Sequence, residues 1–207
     1  MAKSPLVEAL RTRPWARRGL SLVSVVLLLG GLGLVGYPFF TNVYQGQVQD
    51  RLVRQIASPE LKQAYRERKV QYGDSLTRIR IPRLGVDAVV VEGTTPSALR
   101  AGAGHYPQTA LPCDEGNVAI AGHRTTYGRP FGNLDQLRTG DTIELSTPLG
   151  SCTYRLHRDP FVTEPTDLGV LEPGPERMVT LTTCHPKGSA AKRLIVQATW
   201  VKDSTAA

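Results

Sequence analysis

The sequence predicts a mainly β domain that follows a single N-terminal membrane-spanning helix. Three observations indicate this: an uncharged apolar run of membrane length, a group of arginines directly before it, and seven or so short β-type segments after Gly73. The chain has 207 residues, of which 41% are hydrophobic and 21% are charged. A packed core is therefore feasible, and a wholly disordered chain is excluded.

The apolar run covers residues 20–40 and contains no charged side chain. At about 1.5 Å per residue it forms a helix of about 31 Å, close to the hydrocarbon thickness of a bilayer. Four arginines precede it: Arg11, Arg13, Arg17 and Arg18. The positive-inside rule keeps that end in the cytoplasm. We therefore expect residues 1–19 to be cytoplasmic, residues 20–40 to be a transmembrane signal anchor, and the rest to lie outside the cytoplasm.

Two alternatives to an anchor are a cleaved signal peptide and a buried core helix. No small-x-small cleavage site follows the run, and its length and arginine flank are unusual for a core helix. The formal net charge of +7 agrees with a membrane partner, because most of it lies in residues 1–19. A nucleic-acid-binding protein usually carries its excess charge on the folded domain, so we expect no nucleic-acid partner.

Residues 41–74 are predicted to be a helical stalk or linker. Their apolar side chains recur every three to five positions, which favours a helix, and Ser58-Pro59 should interrupt it. We interpret the segment as a solvated spacer with no activity of its own. A dimerising helix is the alternative.

A strand-rich domain is expected over residues 75–207. Alternating or β-branched segments there predict seven strands: 75–81, 87–91, 118–121, 142–145, 153–156, 178–183 and 194–201. Turn signals rich in glycine and proline separate them, and short helices are expected only around 97–100 and 131–137. Many short strands with long loops are typical of a closed or nearly closed β-barrel.

Three polar side chains at predicted strand ends point to nucleophilic catalysis. Cys184 ends an apolar strand, His123 closes another, and Arg193 opens a third. A nearby cation, which His123 could supply, raises the thiolate fraction of a cysteine, and a guanidinium can hold an acyl oxygen. The pattern therefore suggests a cysteine acyl-transferase. A buried structural cysteine with two unrelated polar residues is the alternative that these residues leave open.

The motifs around these residues closely resemble those of the sortase family. They are GHYPQTALPCDEGNVAIAGHRTTYGRPFGNL, then TLTTCHP, and then an arginine nine positions past the cysteine. The resemblance spans about residues 75–201. It implies an eight-stranded β-barrel and a membrane-anchored transpeptidase. Such an enzyme cleaves an LPxTG-type sorting motif between Thr and Gly through a thioacyl intermediate and passes the acyl group to a cell-wall amine.

The resemblance also implies roles for individual residues. Cys184 is the nucleophile, His123 the general acid and base, and Arg193 the residue that positions substrate and supports the oxyanion. Thr183 corresponds to a threonine that helps to bind substrate. His105 corresponds to a second histidine near the site, for which a structural hydrogen bond is the alternative role.

The motif GHRTTYGxPF is similar to that of class E sortases from high-GC Gram-positive bacteria. In that class the residue equivalent to Tyr127 is linked to a preference for LAxTG over LPxTG. A phenol can interact with the backbone N–H that an alanine offers and that a proline lacks. Packing of the loop by the Tyr127 ring is the alternative.

The two remaining cysteines, Cys113 and Cys152, are expected to form a disulfide, because the domain is expected to lie outside the reducing cytoplasm. Two free cysteines that pack as small apolar side chains are the alternative. No cysteine pair has zinc-ligand spacing and no cluster of acids suggests calcium, so we expect no metal and no cofactor. His185 should face away from the Cys184 side of its strand by alternation, and His157 is expected at the surface.

The expected partners are surface proteins with a C-terminal sorting signal, a peptidoglycan precursor or cross-bridge amine, and the membrane. The main alternative is an inactive sortase-like protein that binds or scaffolds at the cell surface, although the intact Cys184, His123 and Arg193 argue against it. An L,D-type cysteine transpeptidase would place Gly and Arg around its nucleophile, which this chain does not.

Overall fold

The computed structural model describes residues 14–174 and 176–205. The chain divides into two units, Met1–Phe40 and Thr41–Ala207. The first unit is described from Pro14, where helix α1 (Pro14–Ile56) begins. Among the described residues α1 is the one helix long and apolar enough to cross a bilayer, with a mean hydropathy of 2.2 over 18 residues that are not buried. Arg11 and Arg13 of the predicted basic flank lie outside the described residues.

The second unit opens with residues 41–56 of α1 and the short helix α2 (Pro59–Arg66). The predicted break at Ser58-Pro59 is present. The Ser58 side chain accepts a hydrogen bond from the Leu61 N–H, and Pro59 occupies the first turn, where its missing N–H costs nothing.

These helices are not the solvated spacer that the sequence suggested. Leu52, Leu61 and Tyr65 each expose 6% or less of their surface. The Tyr65 hydroxyl donates to the Pro112 carbonyl at 3.3 Å, and Leu52 packs with Val89 of the barrel. Apolar spacing alone did not reveal this, because the partner surface lies far along the chain.

The rest of the second unit is built around one sheet, which has nine strands in the described residues. The strands are β1 (Ser75–Ile81), β2 (Val86–Glu92), β3 (Ala103–His105), β4 (Asn117–Ala121), β5 (Thr142–Thr147), β6 (Gly150–Leu156), β7 (Phe161–Thr163), β8 (Met178–His185) and β9 (Lys192–Thr205). Their order is β6-β5-β1-β2-β3-β4-β8-β9-β7, and β6 also pairs with β9. That pairing closes eight strands into the expected barrel and leaves β7 attached outside.

All seven predicted strands are present, but β3 and β7 were not predicted. Each has only three residues, too short for a period-two pattern to be seen. Helix α3 (Pro96–Ala101) matches the helix expected around 97–100 and provides the crossover that the parallel pair β2–β3 requires. The helix expected at 131–137 is only a 3-10 turn over Leu134–Gln136.

Strand β2 contributes to two apolar clusters, one inside the barrel and one between the barrel and the helices. Val90 points into the barrel, where it belongs to the main core with Ile79, Leu145 and Leu181. Val89 and Val91 point outward and are nevertheless fully buried, since α1 and α3 cover them. A strand buried on both faces is expected to be continuously apolar, as this one is over residues 88–91.

Candidate active site

Strand pairing brings the three predicted catalytic residues to one end of the barrel. Cys184 on β8 is directly opposite Arg193 on the antiparallel strand β9. On the other side of β8, Ala121 of the parallel strand β4 is paired with Thr182. His123 follows Ala121 by two residues, as Cys184 follows Thr182, so His123 lies level with Cys184.

Cys184 has the properties of an accessible thiol at a strand end. It is the one free cysteine in the described residues and is only partly buried. The next residue, His185, is the last of β8, after which Pro186 cannot continue the ladder. The thiol therefore lies at the mouth of the barrel rather than in its core.

The backbone before His123 is fixed tightly to β8. The Gly122 N–H donates to the Thr182 carbonyl at 3.1 Å. The Thr183 hydroxyl donates to the Gly122 carbonyl at 2.7 Å. A Cβ at Gly122 would lie 2.6 Å from the Phe131 ring, so only glycine allows this packing. Thr183 is 3% exposed and its hydroxyl proton is engaged by this contact, which makes it a link between the strand carrying Cys184 and the loop carrying His123.

The environment of His123 favours the neutral imidazole. Burial and, to a smaller extent, the Arg100 cation lower the pKa of His123 below its ordinary value. The Tyr127 ring lies beside it, with 5.2 Å between ring centroids. Arg100 is on α3 and was not recognised from the sequence, because nothing near residue 100 indicates that α3 faces the histidine loop.

Arg193 is partly buried and partly engaged by its own loop. Its guanidinium donates to the backbone carbonyls of Ala190 at 3.0 Å and Lys192 at 3.1 Å. It also lines a small pocket of about 30 Å³ together with Thr182 and Tyr106. A guanidinium carries five donors, so donors remain for a bound carbonyl.

Arg124 is a site residue that the sequence analysis missed. It is 5% exposed, and its Nη1 lies 3.2 Å from the Cys184 carbonyl oxygen and 2.8 Å from His185 Nδ1. Its Nη2 forms an ion pair with Asp135 at 3.1 Å. Because a guanidinium only donates, His185 Nδ1 must accept. The sequence signal that could have identified Arg124 is the alternation of side-chain directions along Gly122-His123-Arg124, which places Arg124 on the opposite face from His123.

Tyr127 is held in an unusual backbone conformation. Tyr127, Gly128 and Arg129 have φ values of +49°, +70° and +41°, so three consecutive residues are in the left-handed region. That region is costly for residues with a side chain, and such strain concentrates at functional sites. The loop places the Tyr127 ring against His123.

His105 is fully buried, and both of its ring nitrogens have partners in the protein. Nδ1 lies 2.9 Å from Glu92 Oε2, and Nε2 lies 2.9 Å from the Ala110 carbonyl oxygen. Nε2 must therefore donate, because a carbonyl only accepts. This geometry favours the structural alternative for His105. His157 is exposed, as expected for a surface residue.

The expected disulfide between Cys113 and Cys152 is present, with Cα atoms 5.6 Å apart. It connects the loop before β4 to β6. Cys152 is 1% exposed and belongs to the main core.

This arrangement is suited to acyl transfer. A thiol at a strand end can attack a carbonyl, an imidazole level with it can take up and return a proton, and a guanidinium opposite it can stabilise a negative oxygen. None of these steps requires a metal or an organic cofactor.

The family model for the sortase domain matches residues 79–201 of this chain. The chain is 34% identical over 146 residues to sortase E1 of Streptomyces coelicolor, with 63% of this chain and 42% of that protein covered. It is 32% identical over 132 residues to sortase D of Bacillus subtilis, with 62% of this chain and 65% of that protein covered. The chain thus spans less than two thirds of the length of either curated relative.

Solved structures of sortases are similar to this chain as well. A crystal structure of sortase E1 from Streptomyces coelicolor, with a tripeptide in its active site, is 33% identical and has a TM-score of 0.60. That likeness covers 63% of this chain and 90% of the other.

Proposed function

This chain belongs to the sortase family and is of the class E type, and from that premise we propose that it is an active, membrane-anchored cysteine transpeptidase. Its proposed substrates are surface proteins with a C-terminal LAxTG- or LPxTG-type sorting motif, cleaved between Thr and Gly. Its proposed acceptor is an amine of the cell wall or its precursor. The observation that best supports this is the alignment of His123, Cys184 and Arg193 at one end of the barrel.

The first half-reaction forms a thioester. His123, neutral at neutral pH because its pKa is lowered, takes the Cys184 proton as the sulfur attacks the threonine carbonyl carbon. The carbonyl oxygen becomes an oxyanion, which the Arg193 guanidinium stabilises. The C–N bond to glycine then breaks, and the His123 imidazolium gives its proton to the departing amine.

The second half-reaction reverses these roles. The acceptor amine attacks the thioester carbonyl, and His123 removes a proton from it. The C–S bond breaks, Cys184 leaves as a thiolate, and it regains a proton from His123. Water in place of the amine would hydrolyse the thioester, so the peptide fragment that ends in the free threonine carboxylate is the acyl product expected when no acceptor is supplied.

The proposed location is the cell membrane, with the catalytic domain on the outside. The uncharged apolar run over residues 20–40 of α1 has membrane length and supports the anchor, and Arg11, Arg13, Arg17 and Arg18 support a cytoplasmic N-terminus. A domain exposed outside the cytoplasm also agrees with the Cys113–Cys152 disulfide.

Single substitutions test the catalytic assignment. With an LAxTG peptide and the full chain in detergent, Cys184→Ala should abolish cleavage. His123→Ala and Arg193→Ala should each lower kcat/KM by about 100-fold or more, equivalent to about 2.7 kcal/mol of transition-state stabilisation.

The matched control variants are His157→Ala for the histidine and Arg155→Ala for the arginine. Both side chains are exposed, so these variants should keep near-normal cleavage rates. Residual turnover above a few per cent in Cys184→Ala would remove it from the nucleophile role. A wild-type chain that binds sorting peptides but never cleaves them would instead support the scaffolding alternative.

A further inference from the structure

The last turns of α1 are attached to the barrel by a polar side chain as well as by apolar packing. The Gln49 amide nitrogen donates to the Ala101 carbonyl at 2.8 Å and to the Val89 carbonyl at 3.2 Å, and its oxygen accepts from the Val89 N–H at 2.7 Å. Three hydrogen bonds from one side chain fix this part of α1 against both β2 and α3. Leu52, one turn later, packs into the apolar cluster beneath.

The same helix face reaches the loop that follows His123. Asn42 Oδ1 accepts a hydrogen bond from the Gly128 N–H at 3.0 Å. Gln45 lies so close to Gly128 that a Cβ there would collide with the Gln45 amide oxygen. Asn42, Gln45 and Gln49 recur at helical spacing, so one face of α1 carries all three contacts.

These contacts lie next to the two groups that surround His123. Gly128 follows Tyr127, whose ring lies against the imidazole. Ala101, which Gln49 contacts, follows Arg100, the cation that contributes to the low pKa of His123. The loop over residues 127–129 is left-handed throughout, and a strained loop keeps its shape only if its surroundings hold it.

We propose that residues 42–49 of α1 position the catalytic histidine. Asn42 holds the loop over residues 127–129 in place, so that the Tyr127 ring keeps His123 level with Cys184. The proposal builds on the proposed transpeptidase function. Asn42, Gln45 and Gln49 are positioning residues that act through other groups and touch no substrate. The segment next to the predicted anchor is then a working part of the enzyme rather than a spacer.

The test uses the full chain in detergent micelles or nanodiscs. Asn42→Ala removes the acceptor for the Gly128 N–H, Asn42→Asp keeps an acceptor oxygen, and Gln47→Ala changes an exposed side chain on the same helix. The measurements are kcat and KM for an LAxTG peptide, and the rate at which iodoacetamide alkylates Cys184. Alkylation needs no peptide substrate, and its rate follows the thiolate fraction of Cys184, which a nearby histidine influences.

Asn42→Ala should lower kcat by about 3- to 10-fold, the range expected for one lost hydrogen bond, while KM changes less than about twofold. It should also change the alkylation rate at pH 7 by about twofold or more. Asn42→Asp and Gln47→Ala should match the wild type in both measurements. In a Tyr127→Ala background, Asn42→Ala should have no further effect on kcat, because the group through which it acts is gone.

Three results would overturn the proposal: normal kcat and alkylation in Asn42→Ala, equal losses in Asn42→Ala and Asn42→Asp, or losses that simply add to those of Tyr127→Ala. A wild-type chain that cleaves no sorting peptide would contradict the proposed function instead. The alkylation rates of the same variants would still decide the positioning role in that case.

Discussion

At the scale of single residues, His123 lies level with the thiol that it is proposed to activate, and the Arg100 cation helps to lower its pKa. The positions of Cys184, His123 and Arg193 at strand ends could be predicted from the sequence, because each lies next to or at the end of a recognisable strand. Arg124 and Arg100 could not be assigned in this way. Their importance depends on burial and on contacts with elements that are distant in the chain.

Replacing Arg100 with Ala should raise the pKa of His123, because the imidazolium would no longer be repelled by a nearby cation. The histidine would still be buried, so its pKa should stay partly lowered. The pKa can be followed by NMR titration of the histidine ring signals, with Arg83→Ala as a control on another part of the barrel. The acid limb of kcat/KM should move to higher pH with it. A His123 pKa that stays the same or falls in Arg100→Ala would contradict the contribution of the Arg100 cation.

Replacing Tyr127 with Phe tests how the second position of the motif is recognised. A buried polar group left unpaired costs about 1–3 kcal/mol, so a hydroxyl contact to the alanine N–H could favour LAxTG by about 5- to 150-fold. Tyr127→Phe keeps the ring beside His123 and removes the hydroxyl. We expect kcat/KM to fall for LAxTG and to change little for LPxTG. An unchanged ratio would leave ring packing as the role of Tyr127, and a wild-type preference for LPxTG would contradict the expected specificity.

At the scale of elements, strands with clear alternation were predictable and the contacts between elements were not. Ser75–Ile81 was predicted to the residue, whereas β3 and β7 are too short to carry a pattern. The helices before the barrel were recognised as helices, but their docking was not. The docking depends on packing of Leu52 against Val89 and on hydrogen bonds from the Gln49 amide to two backbone carbonyls.

The disulfide between Cys113 and Cys152 joins two elements separated by 39 residues. The chain-entropy model gives about 4 kcal/mol for a loop of that length, so reduction should lower Tm by about 8–16 °C for a domain of this size. The measurement is thermal unfolding with and without reductant. The Cys113→Ala/Cys152→Ala variant should melt low in both conditions and should not respond to reductant. A wild-type Tm that is insensitive to complete reduction would contradict the estimate.

At the scale of the whole molecule, the proposed topology separates the two ends of the chain. In a Cys184→Ala background, Ser4→Cys should be protected from a membrane-impermeant maleimide in intact cells, because residues 1–19 are proposed to be cytoplasmic. Lys62→Cys, an exposed position on α2, should be labelled from outside. Both should be labelled after the membrane is made permeable. Labelling of Ser4→Cys in intact cells would reverse the proposed orientation.

The central claim is that Cys184 carries the acyl group of a sorting motif. The most direct measurement is mass spectrometry of the full chain after brief incubation with an LAxTG peptide, followed by digestion and mapping of the adduct. We predict an acyl adduct on Cys184 that ends at the motif threonine, disappears when an amine acceptor is added, and is missing in Cys184→Ala. Cleavage of the peptide without any adduct on Cys184, or an adduct that persists in Cys184→Ala, would contradict the account.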